Sequence, residues 1–128
     1  MEWTASEVAT ARARLKAREK QHDQDRERAR QRVREKARAA ARSILPRFPQ
    51  VRRAYLFGSV VRPGMMRRDS DIDIAVEGCL GAEDYFALWR DLERAVAERD
   101  VELVDLDRDV HFAARVRETG EMIYEREN

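Results

Sequence analysis

The spacing of apolar residues divides the chain into two parts. Residues 4 to 45 are rich in Ala, Arg, Glu and Gln and contain no Gly or Pro. This composition predicts a long helix, and Thr4 with Glu7 three residues later is typical of an N-terminal capping box. A continuous apolar stripe at helical spacing is present only near the end of this segment; it consists of Val33, Ala37, Ala40, Ala41, Ile44 and Leu45. We therefore expect the last turns to pack on a folded domain and the earlier part to project or fray.

Beyond residue 53 the apolar residues form short runs instead. Residues 54–57, 72–76 and 101–106 are predicted strands, and residues 122–124 a short last strand. A helix is predicted between the second and third strands, with its inward face formed by Phe86, Trp89, Leu92 and Val96. Asp109 is the expected N-cap of a further helix that stops at Gly120. Strands and helices in this order predict an α/β domain.

The distribution of charge follows the same division. Residues 1–50 carry 14 basic and 7 acidic side chains, whereas residues 51–128 carry 12 basic and 18 acidic ones. This asymmetry indicates a basic arm followed by a domain with an acidic site that needs a metal or a substrate as counter-charge. The arginines between residues 26 and 34 could bind the successive phosphates of a nucleic acid. Acidic residues interrupt that run and favour ion pairs within the helix, so we do not expect direct nucleic-acid binding.

Other features of the composition exclude several classes of protein. Cys79 is the only cysteine, which rules out an internal disulfide and a cysteine-based zinc site. His22 and His111 are far apart in the sequence and are expected at the surface. No segment approaches the roughly 20 apolar residues of a membrane span, and residues 1–4 lack the layout of a secretory signal. We therefore expect a cytoplasmic protein without a membrane contact.

Two carboxylates at the start of the second strand are the sharpest candidates for chemistry. Asp71 and Asp73 alternate along the strand, so both side chains point to one face while Ile72 is left for the core. Such a pair repels itself unless a cation is present, and Mg²⁺ prefers oxygen ligands of this kind when it also holds phosphates. An ordinary Asp-rich turn is the alternative interpretation.

A glycine and a serine follow the first strand. Gly58 allows a close approach of the backbone, and Ser59 offers an amide and a hydroxyl to a phosphate. Arg62 could reach the same anion, although Arg67 and Arg68 in the same loop are further candidates. A simple strand-ending turn is the alternative interpretation of this pair.

The third predicted strand supplies one more carboxylate. Glu102 and Asp105 lie on opposite faces of that strand, so only one of them can join the site. We expect Glu102 to share the open face, with Asp105 as the fallback near the strand end. A third carboxylate would act as a metal ligand or as the base for a hydroxyl that attacks an α-phosphate.

Taken together, these segments resemble the signature of the minimal nucleotidyltransferases, which belong to the polymerase-beta-like nucleotidyltransferase superfamily. The resemblance covers roughly residues 38 to 125 and rests on residues 56–59, Arg62, residues 69–74 and residues 101–106. Glu102 stands where the family usually has Asp, and one extra residue, Pro63, lies between Ser59 and the aspartates. The resemblance implies a small mixed sheet with helices on one face, preceded here by a long charged N-terminal helix. We divide the chain into an arm, residues 1–37, and a nucleotidyltransferase domain, residues 38–128.

The same resemblance implies a function. Members of the family are commonly antitoxins encoded beside a HEPN-domain ribonuclease toxin, and they transfer AMP from ATP to that partner. The implied catalytic and Mg²⁺-binding residues are Asp71, Asp73 and Glu102, and the implied nucleotide-binding residues are Gly58, Ser59 and Arg62. A catalytically weak module that neutralises the toxin by direct binding is the alternative. Antibiotic adenylation is less favoured because the chain has no second domain to close over a small substrate.

Overall fold

The computed structural model describes residues 2–127 of the chain. Its helices are α1 (Ala5–Ile44), α2 (Ala82–Val96) and α3 (Val110–Thr119). Its strands are β1 (Arg53–Phe57), β2 (Ile72–Glu77), β3 (Val101–Asp105) and β4 (Glu121–Glu125). Short 3₁₀ turns span Leu45–Arg47, Gly58–Val61 and Leu106–Arg108.

The four strands form one mixed sheet in the order β3-β2-β1-β4. β1 pairs antiparallel with both β2 and β4, whereas β2 and β3 run parallel. A parallel pair needs a crossover connection, and α2 supplies it. The predicted α/β class with a small mixed sheet and a long N-terminal helix is confirmed.

The two faces of the sheet carry different layers. Alternate strand residues such as Leu56 and Ile74 pack under α1 and α2 in the larger core. The opposite face carries a smaller cluster in which Tyr55 and Ala75 contact Ala113 of α3. The two long helices thus share one face, while the ten-residue α3 covers part of the other, so the expectation of helices on one face holds for α1 and α2 but not for α3.

Helix α1 is continuous across the expected boundary between arm and domain. Its start is capped as predicted, since the Thr4 hydroxyl accepts a hydrogen bond from the Glu7 amide at 3.1 Å. All six residues of the predicted apolar stripe are buried. Burial begins one turn earlier than the stripe, at Arg30, which is only 6% exposed. No helix between residues 2 and 127 is both long and apolar enough to cross a membrane.

The inward face of α2 differs from the prediction. Leu92 and Val96 are buried as expected, but Phe86 is 57% and Trp89 37% exposed, and Leu88 fills the core position instead. The reason is the location of β3 at the edge of the sheet. There Trp89 Nε1 donates to the Val101 carbonyl at 2.7 Å, so its polar end protects an edge strand.

The predicted ends of α3 are confirmed. The side chain of Asp109 accepts a hydrogen bond from the Phe112 amide at 3.0 Å, which satisfies a free donor of the first turn. Gly120 ends the helix and leads directly into β4. This places α3 beside β1 and β2, on the sheet face that carries the candidate carboxylates.

Candidate functional site

The register of the sheet brings two of the predicted carboxylates side by side. Asp73 of β2 is the direct partner of Glu102 in β3 and of Phe57 in β1. Residues that face each other in register point to the same side of a sheet, so these three side chains form a row across its open face. Asp73 is half-buried, whereas Glu102 is exposed.

The electrostatics of this row are unfavourable without a cation. Burial, together with a hydrogen bond and charge repulsion from Glu102 and the charge of Asp71, raises the pKa of Asp73 to about 6. Nearby carboxylates penalise each other's ionised form. A bound cation would therefore stabilise the ionised carboxylates of this site at neutral pH.

The turn after β1 is built against the Asp73 carboxylate. Gly58 has a φ of 75°, a left-handed conformation that side chains rarely adopt. A Cβ at Gly58 would lie 2.1 Å from Asp73 Oδ2. The backbone thus passes so close to the Asp73 carboxylate that only glycine fits, whereas the close approach predicted from the sequence was to a phosphate.

The other two predicted nucleotide-binding residues occupy the same turn. Ser59 is half-buried in the 3₁₀ turn Gly58–Val61, and its carbonyl accepts a hydrogen bond from the Arg62 amide at 3.1 Å. Arg62 is exposed, and its guanidinium makes no ion pair with another residue between 2 and 127. Both groups are available to an anion at this end of the sheet.

Asp71 reaches the site on a braced loop. It lies one residue before β2 and is exposed. Arg99 donates from one nitrogen to the carbonyls of Arg67 at 2.7 Å and Ser70 at 2.9 Å, and the Ile72 amide donates to the Asp100 carbonyl at 2.9 Å. The loop is thereby tied to the turn before β3, which fixes where Asp71 enters. Sequence reasoning did not identify Arg99, because its hydrogen bonds go to backbone that is 29 or more residues away.

The fallback residue Asp105 lies apart from the row. It pairs in register with Val76, three residues along β2 from Asp73, which corresponds to about 10 Å of strand. Its carboxylate accepts a hydrogen bond from the Asp107 amide at 3.0 Å and caps the turn after β3. Glu102, and not Asp105, shares the row with Asp73.

Arg30 supports the glycine turn from α1, a contact that the sequence analysis missed. Its Nη1 donates to the Val60 carbonyl at 2.9 Å, and its other nitrogens bond Glu27 at 2.9 and 2.6 Å. Val60 follows Ser59 directly. A buried arginine inside a basic run gives no local signal, since only a distant carbonyl distinguishes it from its neighbours.

The residues present fit a magnesium ion that is shared with phosphates. Between residues 2 and 127, no three His, Cys, Asp or Glu side chains form a ready-made metal cage. Mg²⁺ is commonly held by one or two carboxylates with substrate phosphates completing its shell. Asp73 and Glu102, with Asp71 close enough to influence Asp73, provide that kind of partial site.

Comparison with known proteins agrees with this geometry. The polymerase beta nucleotidyltransferase family model matches residues 40–128, which include every residue of the carboxylate row and the glycine turn. A search among curated proteins finds no match.

Solved toxin–antitoxin complexes contain similar chains. A toxin–antitoxin structure with AMP-PNP is 30% identical with a TM-score of 0.57, and 73% of each chain is covered. The tri-AMPylated HEPN toxin of Shewanella oneidensis in complex with MNT antitoxin is matched at 25% identity and a TM-score of 0.55, again with 73% of each chain covered. The MntA–HepT complex is matched at 26% identity, a TM-score of 0.54 and 71% coverage of both chains. The chain therefore belongs to the polymerase beta nucleotidyltransferase family and is similar to the MntA and MNT antitoxins of HEPN toxin–antitoxin pairs.

Proposed function

We propose that this chain is an antitoxin that transfers AMP from ATP to a HEPN-domain ribonuclease toxin and thereby neutralises it. The observation that carries this proposal is the row of Asp73 and Glu102 beside the glycine turn. A carboxylate pair needing positive charge, next to backbone that admits a phosphate, is suited to chemistry at an α-phosphate. The similar solved complexes with AMP-PNP and with an AMPylated toxin support the choice of nucleotide and acceptor.

Each residue has a distinct role in this proposal. Gly58 and Ser59 bind the phosphates through the turn after β1, and Arg62 adds a positive charge at its end. Asp71, Asp73 and Glu102 would hold Mg²⁺, which would neutralise the charge of the phosphates when it is bound. Asp73 is the central ligand because it contacts both the turn and Glu102.

The transfer step is an in-line displacement. The hydroxyl oxygen of the toxin forms a bond to the α-phosphorus of ATP, and the bond from that phosphorus to the bridging oxygen of the β-phosphate breaks. Pyrophosphate leaves with the electron pair of the broken bond. The hydroxyl proton passes to the Glu102 carboxylate, which lies on the exposed side of the row.

The test uses α-labelled ATP, Mg²⁺ and the HEPN-domain toxin proposed as the partner. We expect label on the partner and a mass increase in AMP-sized steps with the wild-type chain. The double variant Asp71→Ala, Asp73→Ala should abolish both signals. Asp69→Ala is the matched control, because it removes an exposed carboxylate from the same loop outside the row. Label transfer that persists unchanged in the double variant would contradict the mechanism.

Neutralisation by direct binding is the second candidate. Two observations favour it: Glu102 stands where the family usually has Asp, and one extra residue, Pro63, lies between Ser59 and the aspartates. This version predicts that the double variant still binds the partner and still blocks its ribonuclease activity. No mass shift of the partner would then accompany neutralisation by the wild-type chain.

A further inference from the structure

The first half of α1, residues 5–26, projects from the domain and is called the arm from here on; it is shorter than the segment 1–37 expected from the sequence. Every side chain in the arm is exposed except that of Ala11, which is half-buried. At about 1.5 Å per residue the arm is roughly 30 Å long. It lies outside residues 40–128, the part matched by the family model. The family resemblance therefore assigns this segment no role.

The arm carries two exposed apolar residues on the side of α1 that packs on the domain. Leu15 precedes the buried Val33 by 18 residues, and Val8 precedes the buried Ile44 by 36 residues, which equal about five and ten turns at about 3.6 residues per turn. Val8 and Leu15 therefore point to the same side as the residues that pack on the domain. They are 36% and 57% exposed. Apolar side chains that lie beyond their own domain are available to another molecule.

Two grooves connect the base of the arm with Asp71, the exposed candidate residue before β2. Where the arm meets the domain, a groove of about 590 Å³ lies between Arg26 of α1 and the loop residues Met66 and Arg67. A second groove of about 430 Å³ continues along the same loop to Asp71. Arg68 and Arg99 line both grooves. A protein that approaches Asp71 along these grooves lies beside the arm.

The arm is also strongly basic around its apolar positions. Five basic residues lie within one stretch, and none of them forms an ion pair with a residue between 2 and 127; they are Arg12, Arg14, Lys16, Arg18 and Lys20. Ion pairs within the helix begin only at Asp23 with Arg26. The stretch is thus complementary to carboxylates on another molecule. Two arms placed antiparallel would set basic stretch against basic stretch, which disfavours a second copy as the occupant.

We propose that the Val8–Leu15 face of the arm is a docking surface for the protein that receives the nucleotide. The partner surface that fits it is an apolar helical ridge flanked by Asp and Glu side chains. The proposal rests on the proposed function, since it assigns the arm to the acceptor of that reaction. The arm holds the partner so that its acceptor hydroxyl lies at the Asp71 edge, a role that a second domain would play in a larger enzyme.

The experiment compares two double variants of the full chain. Val8→Glu, Leu15→Glu places two carboxylates on the docking face, and Ala13→Glu, Ala17→Glu makes the same charge change on the opposite face of the helix. All four positions are exposed, so neither variant disturbs the core. Affinity for the HEPN-domain toxin proposed as the partner is measured by calorimetry, and Mg-ATP binding is measured separately without the partner. We expect the docking-face variant to bind the partner at least about tenfold more weakly, with Mg-ATP binding unchanged and the opposite-face variant near wild type.

Each outcome separates this proposal from the proposed function. A wild-type complex that depends on Val8 and Leu15 supports docking even when no label is transferred. Equal affinities of the two variants overturn docking, whether or not AMP transfer occurs. A concentration-dependent dimer that is lost in the docking-face variant assigns the face to a second copy and also overturns the proposal. Salt-dependent RNA binding that is abolished by Arg12→Gln, Arg14→Gln but retained by the docking-face variant assigns the arm to nucleic acid instead.

Discussion

Strand β2 carries two acidic residues on one face, Asp73 near its start and Glu77 at its end, and their surroundings differ in kind. Glu77 is 2% exposed, yet it accepts hydrogen bonds from Arg117 Nε at 2.7 Å and the Tyr55 hydroxyl at 3.2 Å, with Arg53 nearby at 3.4 Å. Burial opposes ionisation of Glu77, but Arg117, Tyr55 and Arg53 outweigh it and lower its pKa. Burial and the neighbouring carboxylates of Glu102 and Asp71 raise the pKa of Asp73 to about 6.

The comparison separates a structural carboxylate from a functional one on the same element. Glu77 is ionised because protein groups complete its environment, so its charge stabilises the fold. Asp73 lacks such partners, so its ionised form is stabilised only when a ligand brings positive charge. Asp73 and Glu77 are thus only four residues apart on one strand. Protein groups complete the surroundings of Glu77, whereas Asp73 requires a ligand to supply positive charge.

Activity should respond most strongly to Asp73. We expect Asp73→Asn to lower AMP transfer by about two to three orders of magnitude, because it removes the charge that organises the phosphates. Glu77→Gln should retain transfer at a temperature where it remains folded. Initial rates of label transfer, with circular dichroism to verify folding, measure both effects. Equal losses of rate in the two variants would erase the functional distinction between them.

Stability should respond in the opposite order. Glu77→Gln leaves Arg117 and Arg53 without their shared charge, and we expect a loss of about 2 to 3 kcal/mol in the free energy of unfolding. The loss stays below that of a fully buried pair because both arginines are 48% exposed and can return to water. Urea denaturation measures it, with Asp73→Asn as the matched removal of one charge from the same strand. A loss under about 0.5 kcal/mol would show that the Glu77 cluster is not structural.

Gly58 and Gly64 provide a matched pair for the close approach at Asp73. Both have positive φ, 75° and 80°, but a Cβ at Gly64 meets nothing within 4 Å. We expect Gly64→Ala to cost about 1 kcal/mol through backbone conformation alone. Gly58→Ala should cost more and should also lower transfer about tenfold or more, since its methyl group displaces the Asp73 carboxylate. Thermal unfolding and transfer rates of the two variants isolate the effect of the contact, and identical behaviour would argue against it.

The smallest expected effect is on the pH dependence of stability. The pKa of Asp73 is about 6 in the folded chain against 3.8 as its ordinary value, so the folded state holds the extra proton between these pH values. Its contribution is therefore present below pH 3.8 and is lost as pH rises through about 6. In metal-free buffer, Asp73→Asn should match the wild-type melting temperature near pH 4. At pH 7 the melting temperature of Asp73→Asn should exceed that of the wild-type chain by a few degrees.

Glu77 gives the opposite sign in the same measurement. Its pKa is lowered, so its stabilising contribution is present above its ordinary value and is lost as pH falls through the folded value. The difference in melting temperature between wild type and Glu77→Gln should therefore shrink as the solution becomes acidic. A difference that grows on acidification would contradict the assigned ion pairs.

Local patterns predicted the strands, the end of α1 and the carboxylate row, because alternation and helical spacing are properties of neighbouring residues. Asp73 and Glu102 could be placed on one face by counting along two strands. The burial of Arg30 and Glu77 could not be predicted in this way. Each depends on a partner far along the chain, Val60 for Arg30 and Arg117 for Glu77. The prediction of Phe86 in the core failed for a similar reason. Helical spacing gave the apolar face of α2, but not which side of it meets the edge strand.

Helix α1 has no break between its buried half and its arm, so a change in its length also changes the direction in which the side chains of the arm point. One residue inserted between Arg26 and Arg30 would rotate Val8 and Leu15 by about 100° and shift them by about 1.5 Å, while the domain below stays the same. Seven inserted residues would almost restore the original facing but lengthen the reach by about 10 Å. Insertions and deletions in this stretch therefore change the orientation and reach of the arm independently of the active site. We expect the length of the arm in related chains to vary with the shape of the partner that it binds.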